Sequence, residues 1–450
     1  MLIFLNIKNF KEFLSRMSIF SLVFALTATF FFAFQVCAAA QGDSGLRQGN
    51  QTYTLNQLLH IAVQYHPLLK EAEGVIQQEK GLEGEAYSSY FPQINFQSSY
   101  ERANALGGLF GATIPFTVYD TGGTLSQLIT DFGHTGALVR ASKESLLESQ
   151  ENYNSTLQQI LFNVYQAYYQ ILENHADLKV QESSVTDLKK HLGQAEGFYR
   201  VGTQPKIDVT QAEVNLTNGE YALVQAENSL DIAWTNLAAA VGKPNLKRFK
   251  INDQLKFENY PMTLQKALET AYHVRPDFLA LEAEVKAQKA NLEAVSKQNY
   301  PVLSGSAGYG WRNSFFPPGT AFWNLGVNLN FPLFDGFKET SQIQTAKGVV
   351  DQIQAELDNL KLTIHQAVQQ AFLNLKASRT NLKVAAAGLK YAAENFHLAD
   401  GSYRVGTANY LQYEDAEVAL VQAKTNYIQA LANYNIDVAS LKQAMGVLKQ

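Results

Sequence analysis

Two hydrophobic patterns alternate along this chain. In Trp323-Asn324-Leu325-Gly326-Val327-Asn328-Leu329-Asn330-Phe331 apolar and polar residues alternate strictly. Period two predicts a strand with one apolar and one polar face. Ile94, Phe96 and Tyr100 alternate in the same way with Gln97, Ser99 and Glu101. Val302 to Trp311 alternates more weakly, with Leu303, Ala307, Tyr309 and Trp311 on one side. A strand within 116–130 is the least regular, since Leu125-Ser126-Gln127-Leu128-Ile129 only partly alternates. Elsewhere the spacing is three and four, as in Leu157, Ile160, Leu161, Val164, Tyr168, Ile171 and Leu172, the stripe of a packed helix. No proline occurs from 134 to 200, nor from 338 to the end. Very long helices are therefore predicted over about 134–199 and 338–402. At 1.5 Å per residue each is a rod of roughly 100 Å. Helices of moderate length are predicted over about 54–89 and 263–298, and over the stretches ending at Gly242 and Gly446. The two moderate helices of each half add up to the length of the rod, so they can stack end to end and antiparallel beside it.

The patterns recur because the chain repeats itself. At an offset of 204, residues 199–242 align with 403–446 without a gap, with Tyr199/Tyr403, Arg200/Arg404, Gly202/Gly406, Ala212/Ala416, Glu213/Glu417 and Gly242/Gly446 among the identities. Asp131 pairs with Asp335 at the same offset. Upstream the offset is 209, matching Thr54-Leu55 with Thr263-Leu264, Pro67 with Pro276, and Phe91-Pro92 with Tyr300-Pro301. The expected organisation is a first unit over 53–242, a linker over 243–261, and a second unit over 262–446. Each unit runs helix, two strands (about 93–130 and 302–334), long helix, turn, helix. The turn reads Tyr-Arg-Val-Gly-Thr in both copies, and glycine there permits the positive φ of a helix reversal.

The N-terminus sets the compartment. Lys8, Lys11 and Arg16 precede an apolar run, Ile19 to Phe34, followed by Ala38-Ala39-Ala40. This is the pattern of a secretory signal peptide over 1–40. A transmembrane anchor is the competing reading, but the run is short and ends in a small-residue site. The only cysteine, Cys37, lies at that site, and Phe34-Gln35-Val36 before it makes a poor lipoprotein signal. The mature chain then carries no disulfide and no thiolate site for zinc. A net charge of −5 with no basic tract argues against nucleic acid as a partner. No catalytic or cofactor-binding constellation is present, and no metal site is expected. His60 and His66 are six apart, not at metal-ligand spacing, and the eight histidines are scattered, reading as surface or packing residues. Gly107-Gly108 and Gly111 read as an extracellular loop rather than a phosphate cradle.

An exported chain with such strands and no further apolar run of about 18 residues can enter a membrane only as a barrel. Four strands cannot close one, and an open edge in lipid leaves backbone groups unpaired at several kcal/mol each. The barrel must be shared between chains. A trimer supplies twelve strands and a dimer eight, with the rods forming a tube continuous with the barrel.

The chain resembles the TolC family of outer-membrane efflux proteins over nearly all of its mature length. The resemblance rests on the tandem repeat, the Thr-Leu openings, the Phe91-Pro92 and Tyr300-Pro301 strand entries, and the strand-to-helix exits Gln127-Leu128-Ile129-Thr130-Asp131-Phe132-Gly133 and Phe331-Pro332-Leu333-Phe334-Asp335-Gly336. The repeated Tyr-Arg-Val-Gly-Thr followed by Ala-Glu completes it. It implies a mixed α and β membrane protein in the outer membrane: a homotrimer with a twelve-stranded barrel and a helical periplasmic tunnel. It also implies a non-enzymatic exit duct of a tripartite efflux or type I secretion system, with a periplasmic adaptor and an inner-membrane transporter as partners. An exported structural coiled coil or adhesin is the alternative, and it would lack alternating strands.

By this resemblance Val201, Gly202 and Thr203, with Val405, Gly406 and Thr407, form the tips that the adaptor grips. The family rings its closed aperture with acidic residues six and nine positions after the second glycine. Those positions hold Gln412 and Asp415 here, and their first-unit counterparts are Asp208 and Gln211. A tyrosine bonded to the first-unit aspartate belongs to the same closed state, which Tyr403 and Asp208 match. The arginine found in some members two after the second glycine is replaced by Ala408.

Overall fold

The computed structural model describes residues 53–107, 112–246, 248–249, 255–405, 407 and 410–449. The expected signal peptide with Cys37, parts of the linker, and Gly108, Gly111, Gly406 and Ala408 lie outside them. The elements in chain order are α1 (Leu55–Tyr65), α2 (Pro67–Ser88), β1 (Gln93–Gly107), β2 (Ala112–Thr130), α3 (His134–Arg200), α4 (Lys206–Ala240), α5 (Leu264–Val274), α6 (Pro276–Ser296), β3 (Val302–Asn313), β4 (Thr320–Asn330), α7 (Lys338–Arg404) and α8 (Tyr410–Ala444).

The rods α3 and α7 have 67 residues each, about 100 Å at the helical rise. The helices form a wall in which α3 lies between α2/α4 on one side and α6/α8 on the other, with α7 beyond α6/α8. Each stacked pair thus stands beside a continuous rod. Among the described residues no helix is long and apolar enough to cross a membrane.

The helix expected over 54–89 is instead two helices, broken at His66, and the one over 263–298 is broken at Arg275. Both break residues precede a proline and sit in the extended region, at φ −68, ψ 126 and φ −67, ψ 121. The proline ring drives its predecessor out of the helical region while starting the next helix itself. The repeated Thr-Leu also acquires a role. Thr54 N–H donates to Gln57 Oε1 at 3.0 Å, and Thr263 Oγ1 accepts from Lys266 N–H at 3.4 Å, so each threonine caps a short helix.

Each break receives the end of another helix. Helix α4 closes with Gly242 at φ +75 and α8 with Gly446 at φ +73. The N–H of Lys243 reaches the carbonyl of Ala238, and that of Val447 the carbonyl of Lys442, both at 2.9 Å, in the Schellman pattern. A Cβ on Gly242 would lie 2.9 Å from Cα of His66, and one on Gly446 would lie 2.7 Å from Cα of Arg275. Backbone meets backbone at these joints. Around the first joint pack Leu58, Leu59, Val164, Tyr168 and Leu237; around the second, Ala267, Ile364, Val368, Leu441 and Met445.

The strands form one antiparallel sheet in the order β1-β2-β3-β4. Its registers place Ile94, Phe96 and Tyr100 on one face with Tyr119, Leu125, Leu303, Ala307, Tyr309, Trp311, Trp323, Leu325, Val327 and Leu329. The β3 and β4 alternation therefore assigns faces as expected. Trp323, Leu325 and Val327 are more than 70 % exposed in the single chain. A water-facing sheet does not carry such a face. The opposite face holds Asn95, Gln97, Thr124, Ser126, Ser304, Asn324 and Asn328. Arg312 pairs with Asp120 there and lies over the Phe322 ring at 5.2 Å. Gly122 and Gly310 are cross-strand neighbours, and a Cβ on either would sit 2.8 Å from a backbone oxygen of the facing strand.

The β1–β2 arm is long: its strands have 15 and 19 residues, against 12 and 11 for β3 and β4. The last β2–β3 pair is Tyr119 with Asn313, yet β1 and β2 remain paired from Glu101/Val118 out to Gly107/Ala112. Because β2 is flanked by β3 over only part of its length, its face alternation is incomplete in the sequence. A shift in register between Leu128 and Thr130 blurs it further.

The joints generate a prediction. Gly446→Ala introduces a Cβ at positive φ against Cα of Arg275, and is expected to destabilise the fold by about 1–3 kcal/mol. The same change at Gly348, where a Cβ meets nothing within 4 Å, is the control. Thermal dissociation of the purified assembly measures both.

Candidate functional site

The site lies where α3 turns into α4 and α7 into α8, at the ends of the rods farthest from the sheet. Val201 ends α3, and Gly202 follows at φ +75. The N–H of Gly202 donates to the Tyr199 carbonyl and that of Thr203 to the Phe198 carbonyl, each at 3.0 Å. The Thr203 hydroxyl adds a third bond to Phe198 O at 3.0 Å. This Schellman closure satisfies carbonyls that a helix end leaves open. The second turn repeats it: Thr407 N–H and Oγ1 donate to Ser402 O at 3.0 and 3.1 Å. Val201 and Val405 are exposed, and a Cβ on Gly202 would meet nothing within 4 Å. The first turn closes on its own hydrogen bonds and presents backbone with small side chains.

Just above the turns the two hairpins pack on each other. Tyr403, Tyr410 and Tyr413 are buried with Ala195 and Ala212, against Leu192, Val209 and Phe396. The Tyr403 and Tyr413 ring centroids are 5.4 Å apart, and Tyr413 lies 4.3 Å from the His191 ring. The Tyr413 hydroxyl is hydrogen-bonded to His191 Nε2. Asn215 Nδ2 donates to Tyr410 OH at 3.3 Å, and Gln211 Nε2 donates to Glu414 Oε1 at 3.3 Å. Each bond joins the first hairpin to the second. Burial pushes the phenols of Tyr403, Tyr410 and Tyr413 above their ordinary range, so all three are neutral donors.

The family model for "Outer membrane efflux protein" matches residues 58–243 and 267–447. The chain belongs to that family. It is an outer-membrane efflux channel, and its family is one of channels rather than enzymes. Protein CyaE of Bordetella pertussis is 25% identical over 340 residues, covering 72% of this chain and 69% of that one. Outer membrane protein TolC of Escherichia coli is 21% identical over 421 residues, covering 90% and 85%. Among solved structures, the outer-membrane channel OprN superposes with a TM-score of 0.78 at 18% identity, over 87% of this chain and 89% of that one. The Campylobacter jejuni CmeC outer membrane channel superposes at 0.75 and 19%, over 90% of each. The apolar sheet face is thus the face of an outer-membrane protein.

In this efflux-family frame the expected aperture residues fall into two groups. Asp208 lies in the first turn of α4, where the helix dipole favours a carboxylate. Its charge reaches the Tyr403 hydroxyl, adding to the effect of burial. Tyr403 is only 5 % exposed, so it is a packing residue of the tip as well as a neighbour of Asp208. Gln211, Gln412 and Asp415 are exposed on the single chain. Gln211 bridges to Glu414, whose Oε2 is enclosed without a hydrogen-bond partner among the described residues.

Sequence reasoning missed Tyr410, Tyr413, His191 and Glu417. The available signal was three tyrosines within eleven residues of the second turn, Tyr403, Tyr410 and Tyr413. The repeated Ala-Glu hid the rest. Ala212 and Ala416 are both buried, but Glu213 is exposed and Glu417 is buried.

Proposed function

We propose that three copies of this chain form the exit duct of a tripartite system, with a periplasmic adaptor seated on the tips and an inner-membrane transporter supplying cargo. The observation that carries this reading is the incompleteness of the single chain at both edges. Strands β1 and β4 have no outer partner in the described sheet. The outer helices carry exposed apolar residues seven apart: Leu68, Val75 and Leu82 on α2, Ile207, Val214 and Tyr221 on α4, and Val384, Tyr391 and Leu398 on α7. A seven-residue spacing is that of helices packing side by side along their length. Three chains then give twelve strands, enough to close a barrel, and a wall of twelve rods.

Efflux and type I secretion use such a duct alike, because the transporter selects the cargo. The tips Val201, Gly202, Thr203, Val405, Gly406 and Thr407 suit an adaptor hairpin, since nothing but small side chains separates it from the backbone. Asp208, Gln211, Tyr403, Gln412 and Asp415 belong to the aperture in this reading. Three Asp415 carboxylates around an axis repel one another and attract cations. Gln412, standing where the family carries an acid, halves the charge of that ring.

Two outcomes test this. Tryptophan at Gly406, or at its counterpart Gly202 where the space is open, is expected to leave trimers in the outer membrane and abolish efflux. Normal drug export from such a strain would sink the adaptor role. Asp415→Ala is expected to lower cation selectivity and weaken block by multivalent cations in planar bilayers. Unchanged values for both would remove Asp415 from the aperture.

A further inference from the structure

The gate reading leaves one cluster without a role. Glu417 is 7 % exposed and Tyr413 fully buried, one helical turn apart on α8. Tyr413 is hydrogen-bonded to His191 of α3, and the Glu417 carboxyl lies beside it. His191 Nδ1 in turn lies 3.1 Å from Gln194 Oε1.

We propose that Glu417, Tyr413 and His191 form a buried latch between the two tip hairpins of one chain, which holds while Glu417 is protonated and loosens when it ionises. The proposal rests on the gate reading above and adds to it a control by protons.

The surroundings of Glu417 favour this protonation state. Tyr413 donates a hydrogen bond to Nε2 of a neutral His191, whose Nδ1–H donates to Gln194 Oε1. An ionised Glu417 puts an enclosed charge among acids on three elements. Asp187 faces it from α3, Asp400 from α7, and Glu414 from α8 itself. Lys190 is paired with Asp187 and Arg404 with Asp400, each at 2.9 Å, and the Arg404 charge also reaches His191.

Burial, followed by repulsion from Asp187, Glu414 and Asp400, pushes the Glu417 carboxyl up to about 7, against a lowering by the neighbouring Tyr413 hydroxyl. A separated, solvated glutamate titrates near its ordinary value of about 4.3. Between those values the packed hairpins bind the extra proton, so packing weakens as pH rises through that window. The stabilising contribution is complete below the lower value and lost above about 7. His191 works in the opposite sense. Burial lowers its pKa, so charging it on acidification opposes packing. Both groups are neutral together only below about 7 and above the range where His191 takes up its proton.

The latch belongs to one kind of seam. At the repeat offset, His191 corresponds to Asn395 and Tyr413 to Val209. The α3/α8 seam inside each chain therefore carries proton chemistry that the α7/α4 seam between chains lacks.

The test uses full-length trimers diluted with unlabelled chains, with spin labels at Thr210→Cys on α4 and Glu394→Cys on α7 in a Cys37→Ser background. Distances and single-channel conductance are both read at about pH 5.5 and about pH 8.5. The expected result is a short, narrow distance at the lower pH that lengthens and broadens at the higher, with conductance rising several-fold. The isosteric Glu417→Gln is expected to keep the short distance at both. Tyr413→Phe removes the hydroxyl that joins α8 to His191 and is expected to lengthen the distance already at the lower pH, which serves as the test if Glu417→Gln does not assemble. A wild-type distance independent of pH, a Glu417→Gln response equal to wild type, or a Tyr413→Phe distance equal to wild type at the lower pH would overturn the latch. Distances that follow pH while conductance does not would uphold the latch and overturn the gate reading.

Discussion

The constraint on which the molecule depends is that backbone N–H and C=O groups cannot be left unpaired in lipid. A four-stranded sheet with an apolar outer face and two open edges satisfies its inner ladders only. Each unpaired edge group in the hydrocarbon costs several kcal/mol, so a single chain is not a stable membrane object. In the proposed trimer β1 of one copy pairs with β4 of the next, and α7 of one wall meets α2 and α4 of its neighbour, where the exposed apolar stripes lie. Barrel and tube are joined because the strands continue directly into the rods at Asp131 and Asp335. Those two carboxylates secure the corner: Asp131 accepts from the N–H groups of Gly133 and Thr135, and Asp335 from that of Glu339. Left-handed residues make the bend, Phe132 and Gly133 in the first unit and Gly336 and Phe337 in the second.

A tube of continuous rods needs as many rods passing down as up, yet each unit supplies only one long helix. The remaining rod is assembled from two helices of opposite chain position, α2 with α4 and α6 with α8. At each joint a glycine leaves no room for a Cβ against the facing backbone. Proline ends one helix cleanly by forbidding its predecessor the helical region, and glycine lets the arriving helix close on its own carbonyls and touch the facing backbone. The C-terminal segment seals the same level, where Leu448 exchanges two hydrogen bonds with the Gln158 side chain.

Duplication does not make the two halves equivalent. Helix α8 packs along two rods of its own chain, α3 and α7, whereas α4 packs along α3 and meets α8 at the tip through Gln211 and Asn215. Identical Ala-Glu pairs thus face different surroundings, and the second glutamate is buried among acids while the first meets solvent. At the tip this places the shared feature, a turn whose threonine bonds back to the helix end, below a divergent one. In the proposed reading the turn is a repeated docking surface, and the divergent residues above it set how firmly the hairpins hold together and how they respond to charge.

Much of this was legible in the residues themselves. Period-two alternation in Trp323–Phe331 determined a strand with two unlike faces, because a pleated backbone sends successive side chains to opposite sides. The proline-free runs determined the rods, and the Val-Gly-Thr pair determined the reversals, because these depend on local backbone chemistry alone. The break at His66 was equally local and turns on Pro67, although the surrounding apolar period masked it. What the chain could not declare locally is which glutamate is buried, that His191 meets Tyr413, and that β2 outruns β3. Those follow from residues some two hundred positions apart being brought to one seam, where burial and neighbouring charge, not residue type, decide whether a carboxyl is an ordinary solvated group or a proton-binding one.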